Sequence, residues 1–288
     1  MEAFWVELFQ RLAKEGIVSA FKQVTRGGRK DEIRPINEAE SRFRRLLTDY
    51  EIVETQLPRI APEDWKWTLG ELTDTAGLMR KLTGKRLEWF AELFGVCPEW
   101  LEGTFDDSGH ARCERIYNRI WLYKDIGRVQ KHLERMKWST NWPRMTVFVD
   151  DYFRKELNGS SRLGVVFTYD APESTTLRIR RHIVCGDTWS WSYSPTRIQL
   201  KALARWFWMT YGTVVPLVPV KTDVLNSIVN GATLVESLVP FGTGCYDMFE
   251  LYGLSHAEAV AARDEDEFPT VQKCFDSCFN APPTLETI

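Results

Sequence analysis

The chain has 288 residues, 44% of them hydrophobic, 27% charged and 13% aromatic, and its 37 basic and 40 acidic residues leave a formal charge of −3. These values exclude wholesale disorder, collagen-like repeats and low-complexity chains, and no apolar run approaches the ~18 residues that span a bilayer. The mean charge argues against a strongly basic nucleic-acid coat, and the twelve tryptophans are the compositional oddity.

Glu2 and Glu7 stand where a secretory signal carries positive charge, so the expected location is the cytoplasm. Among the six cysteines only Cys274 and Cys278 are close in sequence, and no histidine or second pair completes a zinc set. No metal and no cofactor is therefore expected.

In chain order, residues 2–24 carry Phe4, Leu8, Phe9, Leu12, Ile17 and Phe21 at helical spacing. Gly27-Gly28 ends that helix. A second helix starts near Pro35 or Asn37 and bears Phe43, Leu46, Leu47 and Tyr50. Residues 62–103 give several short helices, and 104–109 a polar loop. Residues 111–138 predict one long helix, because Ile116, Ile120, Tyr123, Ile126, Val129, Leu133 and Met136 form a stripe. The tract 138–143 is the linker that closes it.

Beyond it the apolar period changes from near 3.6 to 2. Strands are expected over 145–149, 163–169, 175–185 and 187–194. A helix follows over 195–209, then an extended stretch over 214–220, where Pro216 and Pro219 exclude a helix interior. Residues 222–239 and the tail read as helical.

The most informative stretch runs from Leu87 to Gly103, LEWFAELFGVCPEWLEG. Ala91 is small where two helices would touch, Gly95 tolerates a turn with positive φ, and Val96 and Leu101 anchor the following helix. Together with the residues before it, from about 68 to 103, the string resembles lambda-repressor-like (Cro/CI, XRE-type) DNA-binding domains, with Cys97 where such domains usually have serine. The resemblance implies a helix-turn-helix, in one of two registers. Residues 98–103 as recognition helix would present Glu99 and Glu102 and no cation. Residues 78–87, after a turn at Ala76-Gly77, would present Arg80, Lys81, Lys85 and Arg86, and this register is preferred because arginine and lysine read bases and neutralise phosphate. A second basic cluster includes Lys22, Arg26, Arg29, Lys30 and Arg34, and Arg29 and Lys30 are candidates for an arm on the phosphate backbone. Residues 1–140 hold 24 basic and 23 acidic residues (+1), and 141–288 hold 13 and 17 (−4), a split whose sign suits a DNA-facing first half.

In the second half, Trp189, Trp191 and Tyr193 alternate with Thr188, Ser190 and Ser192, and Arg178, Arg180 and His182 share a face of the preceding strand. An aromatic pocket formed by Trp189, Trp191, Tyr193, Arg178 and Arg180 would hold a flat or cationic small molecule. A sheet packing its aromatic face on helix 195–209 is the plainer alternative. The sequence contains no nucleophile elbow, phosphate-binding loop or dinucleotide fingerprint, so no catalytic residues are assigned. Asp150-Asp151 reads as a polar strand end rather than a metal-binding pair.

The expected fold class is α+β: an N-terminal all-α helix-turn-helix domain (1–110), a connecting helix and linker (111–143), and a C-terminal α+β domain with a small antiparallel sheet (144–288). The expected function is a transcriptional regulator that binds double-stranded DNA as a homodimer and senses a small-molecule effector, with no membrane partner and no enzymatic activity. The alternatives are a protein-interaction module of a defence or toxin–antitoxin system, and an enzyme of unrecognised type in the second half.

Overall fold

The computed structural model describes residues 30–103, 113–122, 125–135, 143–150, 162–171, 177–213, 215–239, 246–247 and 269–280, with backbone alone for residues 30–37, 69, 73, 75, 76, 79, 134, 135, 246, 247 and 280. The expected helix 2–24 and Arg29 lie outside them. Helices α1 (Lys30–Asp49), α2 (Leu57–Ile60), α3 (Leu69–Thr73), α4 (Thr75–Lys81), α5 (Gly84–Phe94) and α6 (Pro98–Leu101) come first. Strand β1 (Arg119–Ile120) and helix α7 (Arg128–Arg135) follow, then β2 (Arg144–Asp150), β3 (Arg162–Asp170), β4 (Arg180–Cys185) and β5 (Trp189–Ser190). Helix α8 (Ser194–Tyr211), β6 (Pro216–Val220), α9 (Thr222–Val229) and β7 (Tyr246–Asp247) lead to a helical segment, 269–280.

The strands form one mixed sheet in the order β1-β4-β3-β2-β6-β7, with β5 added to β3. β2, β3 and β4 make an antiparallel meander, and β6 lies parallel to β2 after a crossover through α8. The strand sequences show why the sheet is covered on both sides. Val147, Val149, Val165, Phe167, Ile183 and Cys185 point to one face, and Phe148, Val166 and Val184 to the other, all buried. A sheet apolar on both faces needs a layer on each. One layer is α7, α8 and segment 269–280, through Val129, Leu133, Leu200, Leu203, Phe207, Val271 and Phe275. The other is α9 together with the N-terminal helices, whose Phe43, Leu46, Phe90, Phe94 and Leu101 share a core with Phe148, Val166 and Val184. At Gly164 of β3 a Cβ would meet Val229 at 3.0 Å and Leu225 at 3.1 Å, so the missing side chain is what lets α9 lie against the sheet.

The expected fold class is therefore corrected. The small antiparallel sheet is a mixed α/β sheet of seven strands among the described residues, and the helices of the first half are one of its covering layers. The long helix over 111–138 is replaced by extended chain at 113–122 and a short α7. Here tertiary hydrogen bonds override an i,i+4 stripe that fits a helix equally well. The Ile116 amide donates to the Gly231 carbonyl (2.6 Å), the Cys97 amide to the Ile116 carbonyl (2.7 Å), and β1 pairs parallel with β4. The expected strand 187–194 is extended only at β5, and the helix expected over 222–239 stops at Val229.

Replacing Gly164 by valine should overfill the β3–α9 contact and cost about 1–3 kcal/mol. A lower urea midpoint with an unchanged slope is the expected result, and an unchanged midpoint would contradict this packing.

Candidate functional site

The four basic residues expected to form a recognition helix lie on one surface but not on one helix. Thr68 opens α3 with a capping box: the Glu71 amide donates to its hydroxyl (3.4 Å), and the Glu71 carboxylate accepts from the Thr68 amide (3.0 Å). The Thr68 hydroxyl, and then Lys81, hold the Glu71 carboxyl below its ordinary pKa. Asp74 caps α4 by accepting from the Gly77 amide at 2.8 Å. Leu82 then leaves helical geometry (φ −80°, ψ 69°), so residues 78–87 form the end of α4 and the start of α5 rather than a single helix. Intrinsic propensity at Thr83-Gly84 explains the break, because both residues resist a helix interior.

At this break the cations gather. Arg80 is 79% exposed, with Asp74 Oδ2 at 3.8 Å, and Lys81 pairs with Glu71 at 3.1 Å. Lys85 is exposed in the first turn of α5. The Arg86 guanidinium lies 4.7 Å from the Trp65 ring and 5.6 Å from Trp67, and donates to the Lys81 carbonyl at 3.1 Å. The first turn of α5 contains no acid, and Thr83 makes no side-chain cap. An uncapped helix start with cations beside it attracts anions. Lys30 opens α1, and its side chain lies outside the described residues, as does Arg29.

The α5–α6 turn takes the conformation its sequence demands. Gly95 has φ +67°, and a Cβ there would meet the Arg181 side chain at 3.0 Å. The pair forms the base of the helical layer and is not a reading head. Trp100 and Leu101 of α6 are buried, Arg42 donates to the Trp100 carbonyl (2.6 Å), and Arg181 donates to the Leu93 carbonyl (3.1 Å). The register that made residues 98–103 the recognition helix has no free helix to offer.

The expected aromatic pocket is not assembled. Trp189 and Trp191 are buried under α8, with Lys201 and Arg197 near the Trp191 ring (5.7 and 6.0 Å), whereas Arg180 lies on the opposite face of the sheet. Arg178 pairs with Asp170 at the rim (2.9 Å), and Tyr193 is exposed at the head of α8. The sequence alternation is real, but the chain bends after Ser190 and loses it.

Sequence reasoning missed a buried polar network between the sheet and the N-terminal helices. Thr168 and His182 are cross-strand partners, with Oγ1 and Nδ1 3.0 Å apart. His182 Nε2 meets Glu236 Oε2 at 2.7 Å, and Arg180 donates to Glu236 Oε1 from Nε (2.8 Å) and Nη2 (2.6 Å). The Glu236 amide donates to Asp49 at the end of α1 (3.1 Å). Tyr50, partly exposed as a residue, turns its hydroxyl onto the Arg180 carbonyl at 2.7 Å, and the Tyr117 hydroxyl accepts from the Val235 amide at 3.3 Å. Burial pushes both phenol pKa values up. Burial also raises the Glu236 carboxyl, but hydrogen bonds and charge from His182 and Arg180 outweigh it and hold the pKa down. Hydroxyl, imidazole and carboxylate are aligned as in a catalytic triad, yet Thr168, His182 and Glu236 are 2%, 1% and 7% exposed. A substrate cannot reach them, so the network clamps the layers. The available signal was a lone acid in an apolar run, Leu234-Val235-Glu236, together with polar residues at alternate positions of β4.

A third feature lies where β2 and the parallel β6 end together. Thr222, at the start of α9, donates to Asp150 Oδ2 at 2.7 Å, and the exposed Asp223 follows it. Asp151 lies outside the described residues. Among the described residues no three metal-ligating side chains stand together, and no helix is long and apolar enough to cross a membrane.

Because its folded pKa is depressed, Glu236 contributes stability above its ordinary carboxylate pKa, and this contribution is lost as pH falls through the folded value. Glu236→Gln should flatten the acid limb of the stability–pH profile and cost about 3–5 kcal/mol at neutral pH by leaving Arg180 without its counter-charge. An unchanged profile would contradict the clamp. No protein-family model, no curated protein and no solved structure matches the chain.

Proposed function

We propose that the chain is a DNA-binding protein, with transcriptional regulation as the role this serves, and that it grips phosphate on the surface where α4 ends and α5 begins. The observation that carries the reading is the first turn of α5, which has no acid and no side-chain cap and holds Lys85 and Arg86, with Arg80 exposed in the last turn of α4 before it. The reading needs no free-standing helix-turn-helix domain. Homodimerisation remains part of the proposal, since one short surface covers few base pairs and two-fold symmetry doubles the site. No assembled effector pocket supports ligand sensing among the described residues.

Fluorescence anisotropy with a random 20-base-pair duplex across a salt series tests the reading. Affinity should fall steeply with salt. The double change Arg80→Ala with Lys85→Ala should weaken binding at least tenfold and reduce the salt slope by about 2. Binding that ignores salt, or a double variant that binds as wild type, would sink the proposal.

A second reading is favoured by Asp150, Thr222 and Asp223. Open α/β sheets take ligands beyond the carboxyl ends of their parallel strands, and carboxylates there suit a divalent cation that assists phosphoryl transfer. Under this reading the chain would cut or join the nucleic acid it binds. Mg²⁺- or Mn²⁺-dependent cleavage of labelled DNA that Asp150→Asn abolishes is the expected outcome. Cleavage that survives Asp150→Asn, or none in either metal, would remove it.

A further inference from the structure

We propose that the tryptophan cluster beside the phosphate-gripping surface is a stacking platform for unpaired bases, so that the preferred nucleic acid is single-stranded or locally opened. The inference rests on the DNA-binding reading and specifies the form of its ligand.

Trp65, Trp67 and Trp89 gather over Phe90, which is fully buried and closes the core beneath them. The Trp65 ring centroid is 6.1 Å from that of Trp67 and 5.1 Å from that of Trp89. Trp65, Trp67 and Trp89 are each partly exposed as residues, with the Trp67 Nε1 itself buried, whereas Leu87, Ala91 and Phe94 nearby in α5 are buried. The three rings pack against the rim of the core rather than inside it, so part of each residue stays open to a ligand.

The backbone is bent to hold this arrangement. Lys66, between two of the tryptophans, has φ 46° and ψ 60°, a left-handed conformation that a lysine adopts only at a cost. Strain of this kind is kept where a local geometry is needed and gathers at functional sites. Here it places Trp65 and Trp67 where both reach Arg86, and leaves the lysine itself exposed.

Arg86 joins the platform to the phosphate surface. Its guanidinium lies over the Trp65 ring and donates to the Lys81 carbonyl, so a cation is already held among the indoles. Indole and guanidinium planes stack on any base, while nearby cations follow the backbone, and this combination is how single strands are bound without sequence reading. A paired base inside a duplex shows only its edges to a protein, and flat rings cannot use them. The break at Leu82-Thr83 also divides Arg80 and Lys81 from Lys85 and Arg86, so the four cations do not lie along one recognition helix.

The test uses the full chain and three labelled probes at one salt concentration: a 15-nucleotide oligothymidine, a 15-base-pair duplex, and an abasic strand of the same length and charge. Oligothymidine should bind at least tenfold tighter than the abasic strand and tighter than the duplex, and should quench tryptophan fluorescence. Trp67→Leu should remove most of that preference, and Trp67→Phe should retain it. If Trp67→Leu alters the far-ultraviolet circular dichroism, Trp89→Leu takes its place. Abasic and base-bearing strands binding equally would overturn the platform and leave the phosphate surface standing. A preference untouched by a folded leucine variant would place stacking elsewhere and overturn it too. No binding by any probe would remove the platform and the DNA-binding reading together.

Discussion

A single buried carboxylate joins the two halves of this chain. Glu236 sits in a short turn after α9, and its oxygens are taken by Arg180 and His182 of β4. Its own amide, with that of Ser237, is held by Asp49 at the end of α1. An ion buried this deeply is costly unless it is paired and its lone pairs are used. The sheet supplies the cation, the first helix supplies the acceptor for the backbone, and the two are thereby fixed to one another. Tyr50 and Tyr117 close the same interface with their hydroxyls.

Packing follows from that fixation. Among the described residues the helices of the first half share their core with the sheet, since Phe43, Phe90 and Phe94 belong to one cluster with Phe148, Val166 and Val184. What remains outside on the helical layer is the set of charged and aromatic residues near residues 59–89. They are carried on a rigid base, since the α5–α6 pair is tied to α1 and β4 by arginine-to-carbonyl hydrogen bonds. A surface so held loses little freedom when it meets a ligand. The junction of β2 and β6, with Asp150 and Thr222, is fixed by the same sheet.

Much of the local structure could be read from particular residues. Gly95 announced its turn, and Pro216 and Pro219 an extended strand. The short β-branched and aromatic runs of β2 and β3 marked their strands but not their neighbours. Ile116 and Ile120 misled because four-residue spacing fits a helix, while the partners that draw this segment straight, Gly231 and β4, are distant in sequence. Trp189 and Trp191 misled because alternation says which residues share a face and not whether that face is free. Arg80, Lys81, Lys85 and Arg86 were found as a set, but their common surface depends on the break at Leu82-Thr83 and on Arg86 turning back onto Trp65. Glu236 stood out only as an acid in an apolar run, because its three partners lie on two elements distant in sequence.

The proposed function places nucleic acid on the surface around α4 and α5. Photo-crosslinking the full chain to halogenated-uracil DNA, followed by mass spectrometry of the linked peptides, tests it most directly. The predicted result is crosslinks concentrated in residues 59–92, with tryptophan 65, 67 or 89 as the attachment point. Efficient crosslinking confined to other segments, with none in 59–92, would contradict it.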